Sequence, residues 1–180
     1  MTIKTLPLRG CFKMEVPYFK DSRGDFFKTF DIGLVQQVAP DFKVAEAYST
    51  NSRCNVIRGM HFQLPPHDHT KVVALSEGRA LDVLVDLRAG PDFGKVCSID
   101  LSLYDVGTVL VIARGVGHGF LAKSDDCRMN YLVSSRYAPE HDRGVLWNSI
   151  NFEWPVSKPI LSERDKTHPT IQGMDPLIIV

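Results

Sequence analysis

Between residues 43 and 134 the chain is cut by turn signals into short apolar stretches. None of them is long enough to be more than a strand. The stretches read as strands at 43–50, 56–62, 71–76, 80–87, 96–103, 108–113, 118–122 and 127–134. Several alternate with period two. In LDVLVDL, Leu81, Val83, Val85 and Leu87 face one way, and Asp82, Leu84 and Asp86 the other;. Turn residues separate them at Glu77-Gly78, Ala89-Gly90-Pro91-Asp92 and Tyr104-Asp105-Val106-Gly107;. A chain punctuated in this way has no room for the crossover helices of a parallel sheet. It predicts an all-β sandwich or small barrel such as a jelly roll, with a few short helices. Before this block, 10–16 and 26–30 read as strands separated by a turn at KDSRGD, and Asp31 as the N-cap of a short helix running through Val38 to Ala39-Pro40;. After Tyr137 the texture changes. YAPEHDRGVLWNS predicts a helical turn, and the Pro-rich FEWPVSKPILSERDKTHP predicts an irregular segment over the surface or the barrel mouth.

The 180 residues predict one domain, 1–180, large enough for a full core;. A formal net charge of zero argues against a nucleic-acid partner, because no basic excess exists to neutralise phosphates;. A small anion needs only two or three local cations and stays open. Cys11, Cys54, Cys97 and Cys127 form no CxxC pair and read as free thiols of a reducing compartment;. The N-terminus lacks the apolar core of a signal peptide, and the longest apolar run, Val109 to Ala113, is too short to span a bilayer;. The expectation is a cytoplasmic protein with no membrane partner.

The stretch most dense in chemistry is Asn55 to Val73, NVIRGMHFQLPPHDHTKVV. If its two strands pair, Arg58, His61 and Lys71 share one pocket, as inward-facing polar residues do in small barrels. His67-Asp68-His69 invites a metal, but a cupin-type site wants a Glu shortly after the HxH, and the first one here is Glu77;. The pair reads instead as a solvated loop. GTVLVIARGVGHGFLA, 107–122, resembles a cupin's second motif: its Gly-rich turn aims His118 into the barrel, with no metal set to join;. GPDFGK at 90–95 lacks the length and the Ser or Thr of a phosphate loop, and neither a dinucleotide fingerprint nor a GxSxG elbow is present;. Tyr131 in CRMNYLVS and Asp165 in LSERDK would, taken singly, be a packing residue and a surface charge;.

Together these motifs carry a resemblance. RGMHFQ at 58–63, LDVLVDLR at 81–88, the PDFGK turn, RGVGHGFLA at 114–122, YAPEHDRGVLWN at 137–148 and PILSERD at 159–165 follow one another as in the dTDP-4-dehydrorhamnose 3,5-epimerase (RmlC) family. The likeness runs from about Arg23 to Asp165. It implies a cupin-like jelly-roll barrel that needs no metal or other cofactor, works as a homodimer with exchanged N-terminal strands, and takes a nucleotide-diphospho-4-keto-6-deoxy sugar. It implies His61 as catalytic base, Asp165 as its partner, Lys71 beside it and Tyr131 as acid on the opposite sugar face. Arg23, Arg58 and His118 fall around the diphosphate and sugar. The chemistry agrees with the residue types. A proton next to a ketone becomes acidic once a cation stabilises the enolate oxygen. Histidine titrates near neutral pH, an aspartate fixes its tautomer, and inversion needs a second acid.

Three stretches depart from the family. Its R-G-x-F-x-E reads Arg23-Gly24-Asp25-Phe26-Phe27-Lys28, so a carboxylate has become a cation. Its Q-x-N-x-S reads Glu46-Ala47-Tyr48-Ser49-Thr50, and its tyrosine pair reads Arg136-Tyr137. All three lie on the nucleotide side while the catalytic set is intact. They leave open a CDP- or GDP-linked sugar, or epimerisation at C3 or C5 alone. From another class, a non-catalytic or metal-dependent cupin binding a sugar nucleotide is the alternative. The intact His61, Lys71, Tyr131 and Asp165 weigh against it.

Overall fold

The stretches 71–76, 80–87, 108–113 and 118–122 are apolar at most positions, so both faces of the sheets they form have to be covered. The computed structural model describes residues 2–103 and 106–179. Thirteen strands are present: β1 (Thr2–Thr5), β2 (Phe12–Val16), β3 (Tyr18–Asp21), β4 (Gly24–Phe27), β5 (Glu46–Ser52), β6 (Ile57–Gln63), β7 (Lys71–Glu77), β8 (Arg79–Asp86), β9 (Val96–Ser102), β10 (Gly107–Ile112), β11 (Val116–Ala122), β12 (Cys127–Val133) and β13 (Asp142–Gly144). Two four-residue helices, α1 (Ile32–Val35) and α2 (Glu163–Lys166), and a 3₁₀ turn at Ile171–Gly173 complete the elements. A six-stranded sheet, β1-β2-β10-β7-β12-β5, faces a five-stranded sheet, β13-β6-β11-β8-β9, and β3-β4 form a separate hairpin. Every ladder is antiparallel.

Three apolar layers follow. Val73, Leu75, Leu84, Leu110, Ile112, Phe120, Met129 and Tyr131 fill the space between the sheets. Outside the five-stranded sheet, Ile57, Val83, Val85 and Leu87 meet Val145, Ile150, Trp154, Ile171 and Leu177 of the C-terminal segment. Outside the six-stranded sheet, Val72, Ala74, Val109 and Val111 meet Val35 and Phe42. The alternation read in β8 is therefore real, with both faces buried: Val83 and Val85 point to the outer layer, Leu84 to the barrel interior. Two-sided burial is why β10 and β11 are buried at every position and almost wholly apolar, His118 and Thr108 apart;. The irregular segment after residue 150 is the wall that closes one of those faces. It is not a loose wrap.

Four expectations need correction. The strand expected at 26–30 is β4, which ends at Phe27 and pairs with β3. Pro17 separates β2 from β3, so KDSRGD turns within a hairpin of its own;. The helix after Asp31 is capped as expected, with Asp31 accepting from the Gly33 and Leu34 amides, but stops at Val35. YAPEHDRG holds its expected turn, the Asp142 amide bonding the Ala138 carbonyl at 2.9 Å, but Asp142–Gly144 then continues as a strand, β13, on the edge beside β6. Of the turn expected at 104–107, Tyr104 and Asp105 lie outside the described residues. All four cysteines are free thiols.

One contact places the site. Gly59 in β6 has φ of +139°, and a Cβ there would sit 2.5 Å from the Gly119 Cα of β11;. Glycine at both positions lets the strands close, with His61 opposite His118 in the register.

Candidate active site

Five strands from the two sheets supply the walls of one cleft. From the five-stranded sheet come Arg58 and His61 on β6 and His118 and Phe120 on β11. From the six-stranded sheet come Tyr48 and Thr50 on β5, Lys71 on β7 and Tyr131 on β12. This inner part, about 140 Å³, opens into an outer part of about 300 Å³. Tyr48, His61 and Lys71 line both, and Glu46, Gln63, Tyr137, Asp142 and Arg164 form the outer rim.

The imidazole on one wall is held by a carboxylate from far away in sequence. His61 Nε2 lies 2.6 Å from Asp165 Oδ1. Asp165 reaches it because Ser162 caps α2, its hydroxyl accepting from the Asp165 amide at 3.1 Å;. Asp165 is 3% exposed, so the surface-charge reading is overturned. Burial pushes its carboxyl up, but the His61 hydrogen bond and charge and the Gly59 amide outweigh that and hold it below the usual range;. With Nε2 engaged, Nδ1 is the nitrogen of His61 left for chemistry. Lys71 is 6% exposed and donates to the His61 carbonyl at 2.9 Å. Its burial brings the ammonium down to about 8, against the pull of Asp142 and Asp82.

On the opposite wall Tyr131 is buried, and burial, with the charge of Asp82, pushes its phenol well above the ordinary value. It stays protonated. Tyr48 stacks on it at 4.8 Å and 13°, and the His118 ring lies 5.9 Å away. His118 is itself held by Asp82, 2.8 Å from Nε2 and fully buried. Asp82 belongs with the site although nothing singled it out in the sequence. Its signal was a carboxylate in the middle of an apolar strand, where a charge needs a partner.

The other expected residues divide. Glu46 and Tyr137 line the outer cleft, and Glu46 accepts from the Tyr137 amide at 2.8 Å. Arg58 lines the inner cleft, its Nε donating to Ser52 Oγ at 2.9 Å. Arg136 is exposed and not in the lining; only its carbonyl is used, by Gln63. Arg23, Phe26 and Lys28 are not in this chain's cleft. Arg23 pairs with Asp21 on the hairpin, Phe26 is 62% exposed, and Lys28 pairs with Asp31. The His67-Asp68-His69 loop is not solvated. Asp68 is 9% exposed and pairs with Arg114, while His69 meets Gln63 and Ser135. Burial, with Lys71 nearby, takes His69 down to about 3, so it is neutral. Arg164, paired with Asp142 at 2.7 Å, was missed because LSERD offers it no visible partner. Among the described residues no helix is long and apolar enough to cross a membrane.

A cupin-like barrel with an imidazole–carboxylate pair on one wall, and on the other a protonated phenol and an ammonium that reaches across to the histidine's carbonyl, belongs to the class of isomerases that move protons on sugars. The family model described as dTDP-4-dehydrorhamnose 3,5-epimerase matches residues 5–173. A dTDP-4-dehydrorhamnose 3,5-epimerase of Mycolicibacterium smegmatis is 36% identical over 174 residues, 95% of this chain and 86% of that protein. NovW, a 4-keto-6-deoxy sugar epimerase of Streptomyces spheroides, superposes with a TM-score of 0.89 at 29% identity, over 96% of this chain and 88% of its own. ChmJ, a 3'-monoepimerase of Streptomyces bikiniensis solved with dTDP-quinovose, superposes with a TM-score of 0.84 at 31% identity, over 93% and 88%. The chain belongs to the dTDP-4-dehydrorhamnose 3,5-epimerase family.

Proposed function

We propose that this protein inverts C3, C5 or both of a nucleotide-diphospho-4-keto-6-deoxy sugar, in deoxysugar biosynthesis. The observation that carries this is the placement of His61 and Tyr131 on opposite walls of one cleft, with Lys71 beside the histidine. With the sugar ring between the walls, His61 Nδ1 takes the proton from the carbon next to the ketone. Asp165 stabilises the imidazolium that forms. The electron pair moves to the ketone oxygen, where the Lys71 ammonium holds the enolate. Tyr131 returns a proton from the other face. His118, fixed by Asp82, orients the sugar, and Arg58 with Arg164 holds the diphosphate;. No step needs a metal or a redox cofactor.

The hairpin supports a homodimer. Phe19 and Phe26 face outward together, 60% and 62% exposed, with Arg23 between them in sequence. We assign this hairpin to the cleft of a second copy, where Arg23 and Phe26 complete the nucleotide end. Glu46 and Tyr48, which replace family amides at the cleft, then bear on the choice of base.

The test is to offer dTDP-, CDP- and GDP-linked 4-keto-6-deoxy sugars side by side and follow the products by NMR. Inverted product from any of them supports the reading, and from which one names the base. No inverted product from all three would refute it.

A further inference from the structure

Epimerisation uses one imidazole on Asp165, yet two are present. His168 follows three positions later, and its Nε2 lies 3.5 Å from the same Asp165 Oδ1 that His61 engages. Its side chain is nine-tenths buried, at 10% exposure. Its ring stands edge-on to His61 with centroids 5.7 Å apart. Gly144 on β13 makes the room, since a Cβ there would collide with the imidazole. Among the described residues the His168 Nε2 has no hydrogen-bond partner closer than that 3.5 Å approach to Asp165. A buried polar atom left without one is unfavourable and marks a place where a ligand would be welcome. The ligand atoms of His61, Asp165 and His168 all lie within 4.8 Å of one another.

We infer that these three side chains form a transition-metal site, and that a zinc-like divalent ion bound there inhibits the enzyme. The inhibition rests on the reading of His61 as base; the site does not. Two imidazoles and one carboxylate suit Zn²⁺, Co²⁺ or Ni²⁺, not Mg²⁺ or Ca²⁺, which take oxygen ligands. A tetrahedral ion with bonds of about 2.0–2.2 Å holds neighbouring ligand atoms about 3.3–3.6 Å apart. The 3.5 Å between His168 and Asp165 already fits. The 2.6 Å between His61 and Asp165 is closed on a proton instead. When the ion takes Nε2, the proton there passes through solvent to Nδ1, so the neutral imidazole changes tautomer and loses its basic nitrogen, and His61 opens by about 1 Å. The route is available, because the His61 side chain is 32% exposed to the cleft. Arg164, the nearby cation that would oppose the ion, is paired with Asp142. An ion held there ties up the base together with its aspartate. Lys71 and Tyr131 stay in place but have no proton to follow.

The test uses the purified full chain after chelator treatment. Zn²⁺ alone is titrated by calorimetry and Co²⁺ alone by visible absorption, with solvent-deuterium exchange into substrate measured at the same ion concentrations. The expected result is one ion per chain, a tetrahedral Co²⁺ spectrum, and exchange lost as the site fills. His168→Phe, which keeps the ring without a donor, and His168→Asn should bind at least about tenfold more weakly and keep metal-free exchange. The inference is overturned if the wild type binds no ion, if folded His168 variants bind as tightly, or if a filled site leaves exchange unchanged. If both variants fail to fold, ring ¹⁵N shifts of the wild type decide. His61 and His168 moving together on Zn²⁺ addition supports the site, and their not moving together overturns it. If the epimerase reading itself fails, exchange is absent before any metal is added, and the calorimetric and Co²⁺ arms still decide whether the site exists.

Discussion

The cleft and the β3–β4 hairpin both carry charged and aromatic residues, but they hold them by different means. In the cleft the catalytic groups are held by partners on other elements: His61 has Asp165, His118 has Asp82, and Lys71 has the His61 carbonyl. Burial then tunes them, downward for Lys71 and upward for Tyr131. On the hairpin, among the described residues, Arg23 pairs with Asp21 two residues away, its side chain 87% exposed, and Phe26 is 62% exposed beside Phe19. Exposed ion pairs are screened and bind little. The catalytic groups of the cleft are thus held within one chain, while the hairpin's exposed residues lack that support.

Variants that strike the two regions separate them. The largest effect is expected for Asp165→Asn, which leaves His61 without a carboxylate; solvent exchange should fall by about 10²–10⁴-fold with the fold retained. Lys71→Met should lower exchange by about 10²–10³-fold, because the enolate loses its cation. A stopped-assay comparison with wild type checks both, and near-normal rates would remove the residue from its role. Arg23→Ala should act on KM more than on kcat, by about tenfold. Mixing inactive His61→Ala with Arg23→Ala should restore a low KM, since each mixed dimer holds one cleft free of both changes. No gain on mixing would return the hairpin to its own chain. The smallest effect concerns His69. Its folded pKa, about 3, lies below its unfolded value, so the unfolded chain takes up the proton first;. Its neutral burial therefore stabilises fully above about pH 6.5, and that stability is lost as pH falls, by up to about 1.4 kcal/mol per unit. Urea midpoints of wild type should fall more steeply below pH 6.5 than those of His69→Gln. Parallel slopes would show that His69 is not buried neutral.

How much of this was legible follows from what alternation and resemblance can report. Strands β5 to β12 lie where period-two patterning and turn residues put them, to within a few residues, because each is bounded by Gly, Pro or Asp. β13 was not foreseen: the turn expected there is present at Ala138–Asp142, but the three residues after it pair along the edge of β6, which no local pattern announces. The solvated reading of His67 and His69 failed through Gln63, whose amide bonds the His67 carbonyl at 2.8 Å and the His69 ring at 3.1 Å. A glutamine in a strand gives no warning of that. Asp165 came only from resemblance, since no local pattern announces a pairing across 104 positions. Arg23 and Phe26 matched the family motif and Lys28 departed from it, but a motif does not say whether a residue lies in its own chain's cleft.

The central claim is that abstraction and reprotonation occur from opposite walls. Solvent-deuterium incorporation into the 4-keto sugar, followed by NMR for wild type, His61→Ala and Tyr131→Phe, tests it most directly. The account predicts label in wild type, none with His61→Ala, and label without matching inversion with Tyr131→Phe. Label retained by His61→Ala, or equal losses of label and inversion with Tyr131→Phe, would contradict it.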